Sequence, residues 1–302
     1  MNVGRVKIYL RIVCRLLQEM EINMKKRKYI VDSSCDTFVY QGVNIQSAPL
    51  VISTEENHWI DDEHMDVHHM LDTLENHKGR SYTACPSAES WLNAFEGGDE
   101  IFVATMTSAL SGTCNSAIAA REIYLQEHPD AKITVIDTLS TGPELRLVVE
   151  KLVELGETDL TFDEVDAQVR EYMHQTRLFF ALGSLHNMGQ NGRVNKVLVS
   201  AVGLLGISII ATASEDGKVK PISKCRGEKK IVKHMLEELK AAGYAGGKAR
   251  ISHVENEEIA RKLEIAVKEK YGDVDVTVYP AGGLCSYYGE RGGILVGCEI
   301  NG

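Results

Sequence analysis

A chain of 302 residues with 44% hydrophobic content is long enough for one large or two ordinary domains, and it has the apolar side chains for a real core. Its formal net charge of -10 excludes a general nucleic-acid binder, because phosphate backbones demand a basic face. The seven cysteines are odd in number and show no Cys-x-x-Cys spacing, which argues against a disulfide framework or a structural zinc and points to a reducing cytoplasm.

The chain opens on a basic, apolar stretch in which Arg5, Lys7, Arg11 and Arg15 lie among Val6, Ile8, Leu10 and Ile12. The charges recur too often for a membrane span, and no unbroken apolar segment precedes a small-residue cleavage site. Neither stable membrane insertion nor a signal peptide is therefore expected. Residues 1–27 read as an extension upstream of the natural start, with Met24-Lys25-Lys26-Arg27-Lys28 opening directly into an apolar run. From there, strand-like runs alternate with helix-like segments, which predicts an α/β protein. Strands are expected at 29–32, 48–52, 101–105, 133–137, 179–182, 207–213, 219–222, 249–254 and 274–279. Helices are expected at 66–76, 87–95, 111–128, 143–155, 161–176, 194–205, 227–242 and 255–271. Asp66 caps the first of these helices, Pro143 sits in a first turn, and Thr161-x-x-Glu164 forms a capping box. A break near Gly156-Glu157-Thr158-Asp159 divides the chain into an N-terminal α/β domain, 28–165, with a mainly parallel sheet, and a smaller C-terminal α/β domain, 166–302.

The most informative stretch is 100–117. The apolar run Ile101-Phe102-Val103-Ala104 leads into Thr105-Met106-Thr107-Ser108-Ala109-Leu110-Ser111-Gly112-Thr113 and then a helix start. A strand ending in such a turn places backbone N–H groups and small hydroxyls at the mouth of a sheet, which suits an anion. The same residues also make an ordinary helix cap, with Ser111 satisfying the helix end and nothing bound.

Other constellations point elsewhere. His64 and His68 have i, i+4 spacing, but His64 precedes the cap Asp66, so a solvated acidic loop is favoured over a metal site, and no metal is expected. Ser108 or Ser111 as a nucleophile would make the chain a hydrolase or phosphate-handling enzyme with the turn as its oxyanion site. No Gly-x-Ser-x-Gly elbow is present, however, and no histidine is tied to either serine. The Gly-x-Gly-x-x-Gly dinucleotide fingerprint is missing too, so no cofactor is expected.

Several segments together resemble one family. Val31-Asp32-Ser33-Ser34-Cys35-Asp36 is similar to the "DSSxD" opening of DegV-family fatty-acid-binding proteins, and Thr83-Ala84-Cys85-Pro86-Ser87 to their "TSQPS" loop. Ser108-Ala109-Leu110-Ser111-Gly112-Thr113 matches "SxLSGT". Val135-Ile136-Asp137-Thr138, Gly192-Arg193-Val194 and Asp216-Gly217-Lys218-Val219 resemble the later "VIDS", "GGRI" and "DGxI" segments, all in the right order. The resemblance implies two α/β domains holding one long-chain fatty acid in an apolar interdomain tunnel. It places the carboxylate on Thr83, Ser108, Ser111, Gly112 and Thr113, with Arg193 and Tyr287 contacting the head group or a partner. It also implies a non-catalytic carrier that presents the acyl chain to a kinase related to dihydroxyacetone kinase, which makes acyl phosphate for phospholipid synthesis.

Elementary energetics agree. A sixteen-carbon tail gains roughly 0.8 kcal/mol per buried methylene, over 10 kcal/mol before ordering costs, so the tail sets affinity and the hydroxyls set orientation. The chain also departs from the family. Ala84 and Cys85 replace a hydroxyl and a glutamine, Thr107 replaces a serine, Pro143-Glu144-Leu145-Arg146 replaces a glycine-rich segment, and Tyr287 stands where the family's "HTGPG" motif has histidine. Tyrosine donates a hydrogen bond but does not titrate near neutrality.

Overall fold

A computed structural model describes residues 26–200, 202 and 206–300. Most of the expected N-terminal extension, including Met24, lies outside the described residues. Its last residue, Arg27, is the first of strand β1 (Arg27–Asp32), where it pairs with Glu100 at 2.9 Å.

The first sheet has five strands in the order β2-β3-β1-β7-β8. β3 (Val43–Ala48), β1, β7 (Glu100–Thr105) and β8 (Lys132–Asp137) run parallel, and β2 (Val39–Tyr40) is antiparallel at the edge. β7 is buried along its whole length, as a central parallel strand covered on both faces must be. Helices α2 (Ala88–Phe95) and α3 (Thr113–Glu127) cover one face through Trp91, Phe95, Ala117 and Tyr124. Helices α4 (Gly142–Gly156) and α5 (Phe162–Met173) cover the other through Leu145, Val149, Phe162, Val165 and Val169. The domain division expected at 165 falls inside α5, whose apolar face packs on the first sheet while its Tyr172 donates to Glu299 of β14 (Ile294–Glu299) at 2.7 Å.

Between β3 and β7 the chain adds a small antiparallel sheet, β5 (His58–Ile60), β4 (Val51–Ser53) and β6 (Tyr82–Ala84), followed in space by α1 (Val67–Asn76). The single strand expected at 48–52 is therefore two strands in two sheets. Pro49 supplies no N–H to continue a ladder, and the Leu50 N–H goes to Ser33 Oγ at 3.1 Å.

The second large sheet has six strands, β11-β10-β9-β14-β12-β13. They are β9 (Thr176–Leu182), β10 (Ile207–Ala213), β11 (Val219–Arg226), β12 (Ala249–His253), β13 (Val276–Pro280) and β14 (Ile294–Glu299). Pro221 is tolerated because β11 is an edge strand, with a register shift beside it. Strand β14, which the sequence reading does not assign, is central and pairs with both β9 and β12. Helices α8 (Glu228–Ala241) and α9 (Glu257–Tyr271) cover one face around Met235, Leu239, Leu263 and Val267. The helix expected over 194–205 is shorter. The chain forms α6 (His186–Gln190) and α7 (Lys196–Ser200), and residues 201 and 203–205 lie outside the described residues.

Helix α4 joins the halves. A Cβ on Gly297 of β14 would lie 2.4 Å from the Glu144 backbone nitrogen, so only glycine permits this approach. Farther along α4, Glu150 takes a buried two-pronged ion pair from Arg250 of β12, 2.7 Å at the closest. Helix α10 (Gly283–Gly289) packs back on the small sheet and α1, bringing Cys285 and Tyr287 against Ile52 and Met70.

Candidate functional site

Ligands of parallel sheets collect beyond the carboxyl ends of the strands. Three such ends meet here. The Asp32 carboxylate, at the end of β1, accepts hydrogen bonds from Ser34 Oγ (2.6 Å), Ser34 N (3.0 Å) and Met106 N (2.6 Å). Burial pushes its pKa up to about 6 against the pull of those bonds. At the end of β8, the Asp137 carboxylate accepts from Ser108 N and Leu139 N, each at 3.1 Å. Thr107 N donates to Ser140 O at 2.8 Å, so the loops after β7 and β8 are knitted into one wall.

The facing wall belongs to the second sheet. Leu178, Phe180 and Leu182 are alternate residues of β9 and share one face, and Leu295 of β14 lies opposite Phe180. Leu284 and Tyr288 of α10 close a third side. Asp61 fixes that helix by accepting from Gly283 N (2.8 Å) and Leu284 N (3.0 Å), and its burial raises its pKa to about 6. Between these walls runs an apolar slot with a cavity volume of about 70 Å³.

One end of the slot is polar. The half-buried Arg193 donates from Nε to Leu110 O at 3.2 Å and from Nη1 to Asn191 O, and Nη2 has no partner among the described residues. Tyr288 lines the slot beside it, with its hydroxyl 2.7 Å from Thr83 Oγ1. Burial raises the Tyr288 pKa, while Thr83 and the Arg193 charge oppose the rise. This end offers a cation and a neutral O–H donor on an apolar wall, which is the chemistry that orients a carboxylate.

The structure therefore brings together Thr83 and Arg193, with Tyr288 between them. Tyr287 is fully buried behind this group. Its hydroxyl is 2.7 Å from Ser81 Oγ and accepts from Asn191 Nδ2 at 2.8 Å. Ser108 is exposed and does not line the slot, and Asp137 takes its amide. Ser111 and Thr113 bond each other at 2.7 Å, and with the cap residue Gly112 they start α3 rather than line the slot. No histidine is hydrogen-bonded to Ser108 or Ser111 among the described residues. His68 pairs with Glu255 and Asp72, His64 pairs with Glu63, and no described group of three His, Cys, Asp or Glu is placed to hold a metal. The residue that sequence reasoning misses is Tyr288. Its only signal is its place next to the position where the family carries histidine.

The family model described as "Uncharacterised protein, DegV family" matches residues 26–297. The chain belongs to the DegV family. It is 40% identical over 285 residues to a DegV domain-containing protein of Streptococcus pneumoniae, covering 91% of this chain and 99% of that one. Its fold matches a DegV family protein from Eubacterium eligens loaded with heptadecanoic acid, with a TM-score of 0.89, 52% identity, and coverage of 91% of this chain and all of that one (100%). It also matches the Streptococcus pneumoniae Fatty Acid Kinase (Fak) B3 protein loaded with linoleic acid, with a TM-score of 0.89, 40% identity and coverage of 91% and 100%. Among the described residues no helix is long and apolar enough to cross a membrane, and the six described cysteines are free thiols.

Proposed function

We propose that this DegV protein is a non-catalytic, cytoplasmic carrier of one long-chain fatty acid. The tail occupies the slot along β9, and the carboxylate sits at the Arg193 end. Arg193 and Tyr288 make the head-group contacts, Thr83 orients the Tyr288 hydroxyl, and Ser111, Gly112 and Thr113 hold the turn that presents Leu110. The observation that carries the reading is an apolar slot with the Arg193 guanidinium and the Tyr288 phenol together on its wall. A carboxylate at that end satisfies the open guanidinium edge while the tail leaves water, and uncharged acyl chains gain no such anchor.

An empty cavity of roughly 150 Å³ holds a benzene, so 70 Å³ is too small for a long acyl chain, and loading must part the walls. The unbranched side chains of Met106 and Met188, both on the lining, are suited to yield. Presentation to a kinase is supported by the likeness to the pneumococcal protein named for fatty acid kinase. The test is calorimetry on delipidated protein. Palmitate is expected to bind one per chain, and its methyl ester at least about tenfold more weakly, the loss of one charge-assisted bond. Equal binding of acid and ester contradicts the head-group assignment.

A further inference from the structure

The turn after β1 carries an acid that the fold leaves without a partner. Asp36 follows the helical turn Ser33–Cys35 with its backbone at φ 54, a left-handed conformation that few residues adopt. Both of its carboxyl oxygens are buried, and neither takes a hydrogen bond among the described residues. The Gly282 amide and the Cys285 thiol lie beside it without the geometry of a full hydrogen bond, and the thiol is donated to Ser34 O at 3.4 Å. A buried carboxylate with nothing bonded to it is far costlier than the neutral acid. A second acid stands close by. A Cβ on Gly282 would lie 2.3 Å from Asp36 Oδ1 and 3.8 Å from Asp61 Oδ1, so those oxygens are at most about 6 Å apart.

The two acids are not equivalent. Asp61 accepts from Gly283 N and Leu284 N, and bonds of that kind favour the ionised form. Asp36 has none, so of the pair it is the one that keeps a proton, because two carboxyls sharing a buried site do not both ionise readily. The other groups around Asp36 do not relieve it. Asp32 of β1 is a third acid, bonded to Ser34 and Met106. Arg146 of α4 turns its Nε to Glu150 at 2.9 Å and lays its guanidinium on the Tyr279 ring at 4.4 Å, and its charge only partly offsets the effects of burial and of Asp61. The Tyr279 hydroxyl of β13 is buried and unpartnered among the described residues, and burial keeps it and the thiols of Cys35 and Cys285 neutral.

We propose that Asp36 is a neutral carboxylic acid while α10 is seated, and that with Asp61 it forms a proton-held clasp on that helix. Loss of the proton places two negative charges at the Gly282 corner and loosens α10 from the turn Ser33–Cys35, on which it packs. The seated state holds one proton more than the loosened state, where Asp36 meets water. Rising pH therefore shifts the balance towards the loosened state, by up to about tenfold per pH unit until Asp36 ionises in both states. Leu284 and Tyr288 of α10 close one side of the slot, so loosening opens it. The consequence for lipid exchange rests on the carrier reading above; the protonated acid does not.

The test uses the full chain between about pH 7 and pH 9, where Asp61 is already ionised. Asp36→Asn replaces the acid with a neutral amide that tolerates the left-handed backbone, and Asp36→Gly is the second variant. The infrared difference spectrum of wild type minus Asp36→Asn at about pH 7 is expected to show the carbonyl band of one protonated carboxyl. Protection of the Gly283 and Leu284 amides from hydrogen exchange, corrected for intrinsic rate, is expected to fall at least about threefold over this interval in the wild type and to stay within about twofold in both variants. Dissociation of a bound fluorescent fatty acid should quicken over the same interval in the wild type only. Absence of the carboxyl band, or protection that stays flat in the wild type or falls alike in the variants, would overturn the clasp. Constant lipid dissociation beside falling protection would overturn its control of the slot. A chain that binds no fatty acid at any pH would overturn the carrier reading, and the band and the amides would still decide the clasp.

Discussion

The two adjacent tyrosines of α10 offer a sharp test, because the same chemical change has different consequences at each. Tyr288→Phe removes a hydroxyl that lines the slot and that Thr83 holds at 2.7 Å. A hydrogen bond to a charged group contributes about 1.5–3 kcal/mol, so fatty-acid affinity is expected to fall by roughly 10- to 150-fold. Stability changes little, since Tyr288 is half-buried and its partner Thr83 can turn to water. Tyr287→Phe removes a hydroxyl that is wholly buried, while Ser81 Oγ keeps Gln190 Oε1 and Asn191 Nδ2 keeps Asn187 O as partners. That is expected to cost about 0.5–1.5 kcal/mol of stability, with affinity unchanged within about twofold. Isothermal titration with palmitate measures the first quantity and urea unfolding the second. Both variants preserve the ring pair, whose centroids lie 4.8 Å apart, so packing is a common background. Tyr288→Phe with unaltered affinity, or Tyr287→Phe that weakens binding at full stability, refutes the assignment of Tyr288 to the head group.

Three more expectations follow from the geometry. Ser108→Ala should leave palmitate affinity within about twofold, because the side chain is outside the slot, whereas Thr83→Val should lower it by about 2- to 10-fold through the misplaced Tyr288 hydroxyl; displacement titration compares them. Arg250→Ala should cost about 1–3 kcal/mol in urea unfolding by taking charge-assisted bonds from the buried Glu150 carboxylate, which keeps Arg146 Nε at 2.9 Å, and an unaltered stability speaks against a tight α4–β12 junction. The third concerns pH. Asp32 and Asp61 titrate near 6 in the folded chain against 3.8 ordinarily, so the native state holds their protons more tightly than the unfolded chain does. Their contribution is therefore favourable below pH 4 and is lost as pH rises through 6, by about 3 kcal/mol for each group. Asp61→Asn should flatten the slope of unfolding free energy against pH between 4 and 6 by up to about 1.4 kcal/mol per unit, and an unaltered slope is the contrary result.

The parallel half of the fold was legible because its central strands β1 and β7 are largely buried and read as continuous apolar runs, Ile101 to Ala104 above all. Helix ends were legible where a side chain caps them, as Asp66 and Thr161 do at 2.9 and 3.4 Å from the amides they hold. Strand β14 escaped because its neighbours, β9 and β12, are far away in sequence, and a Gly-containing run gives no alternation to read. The nearness of Thr83 and Arg193 to one stretch of the slot wall was legible through motif order. The fate of Ser108 was not, since it depends on a carboxylate 29 residues away at Asp137. Nor was the exchange between Tyr287 and Tyr288, because one step along a short helix decides which ring faces the core and which the slot.

The central claim, that this chain carries a fatty acid, is most directly tested by native mass spectrometry of the protein purified from bacteria without added lipid. One adduct per chain with the mass of a long-chain fatty acid, lost on denaturation, is the predicted result. A bare chain that takes up no palmitate after delipidation and incubation contradicts it.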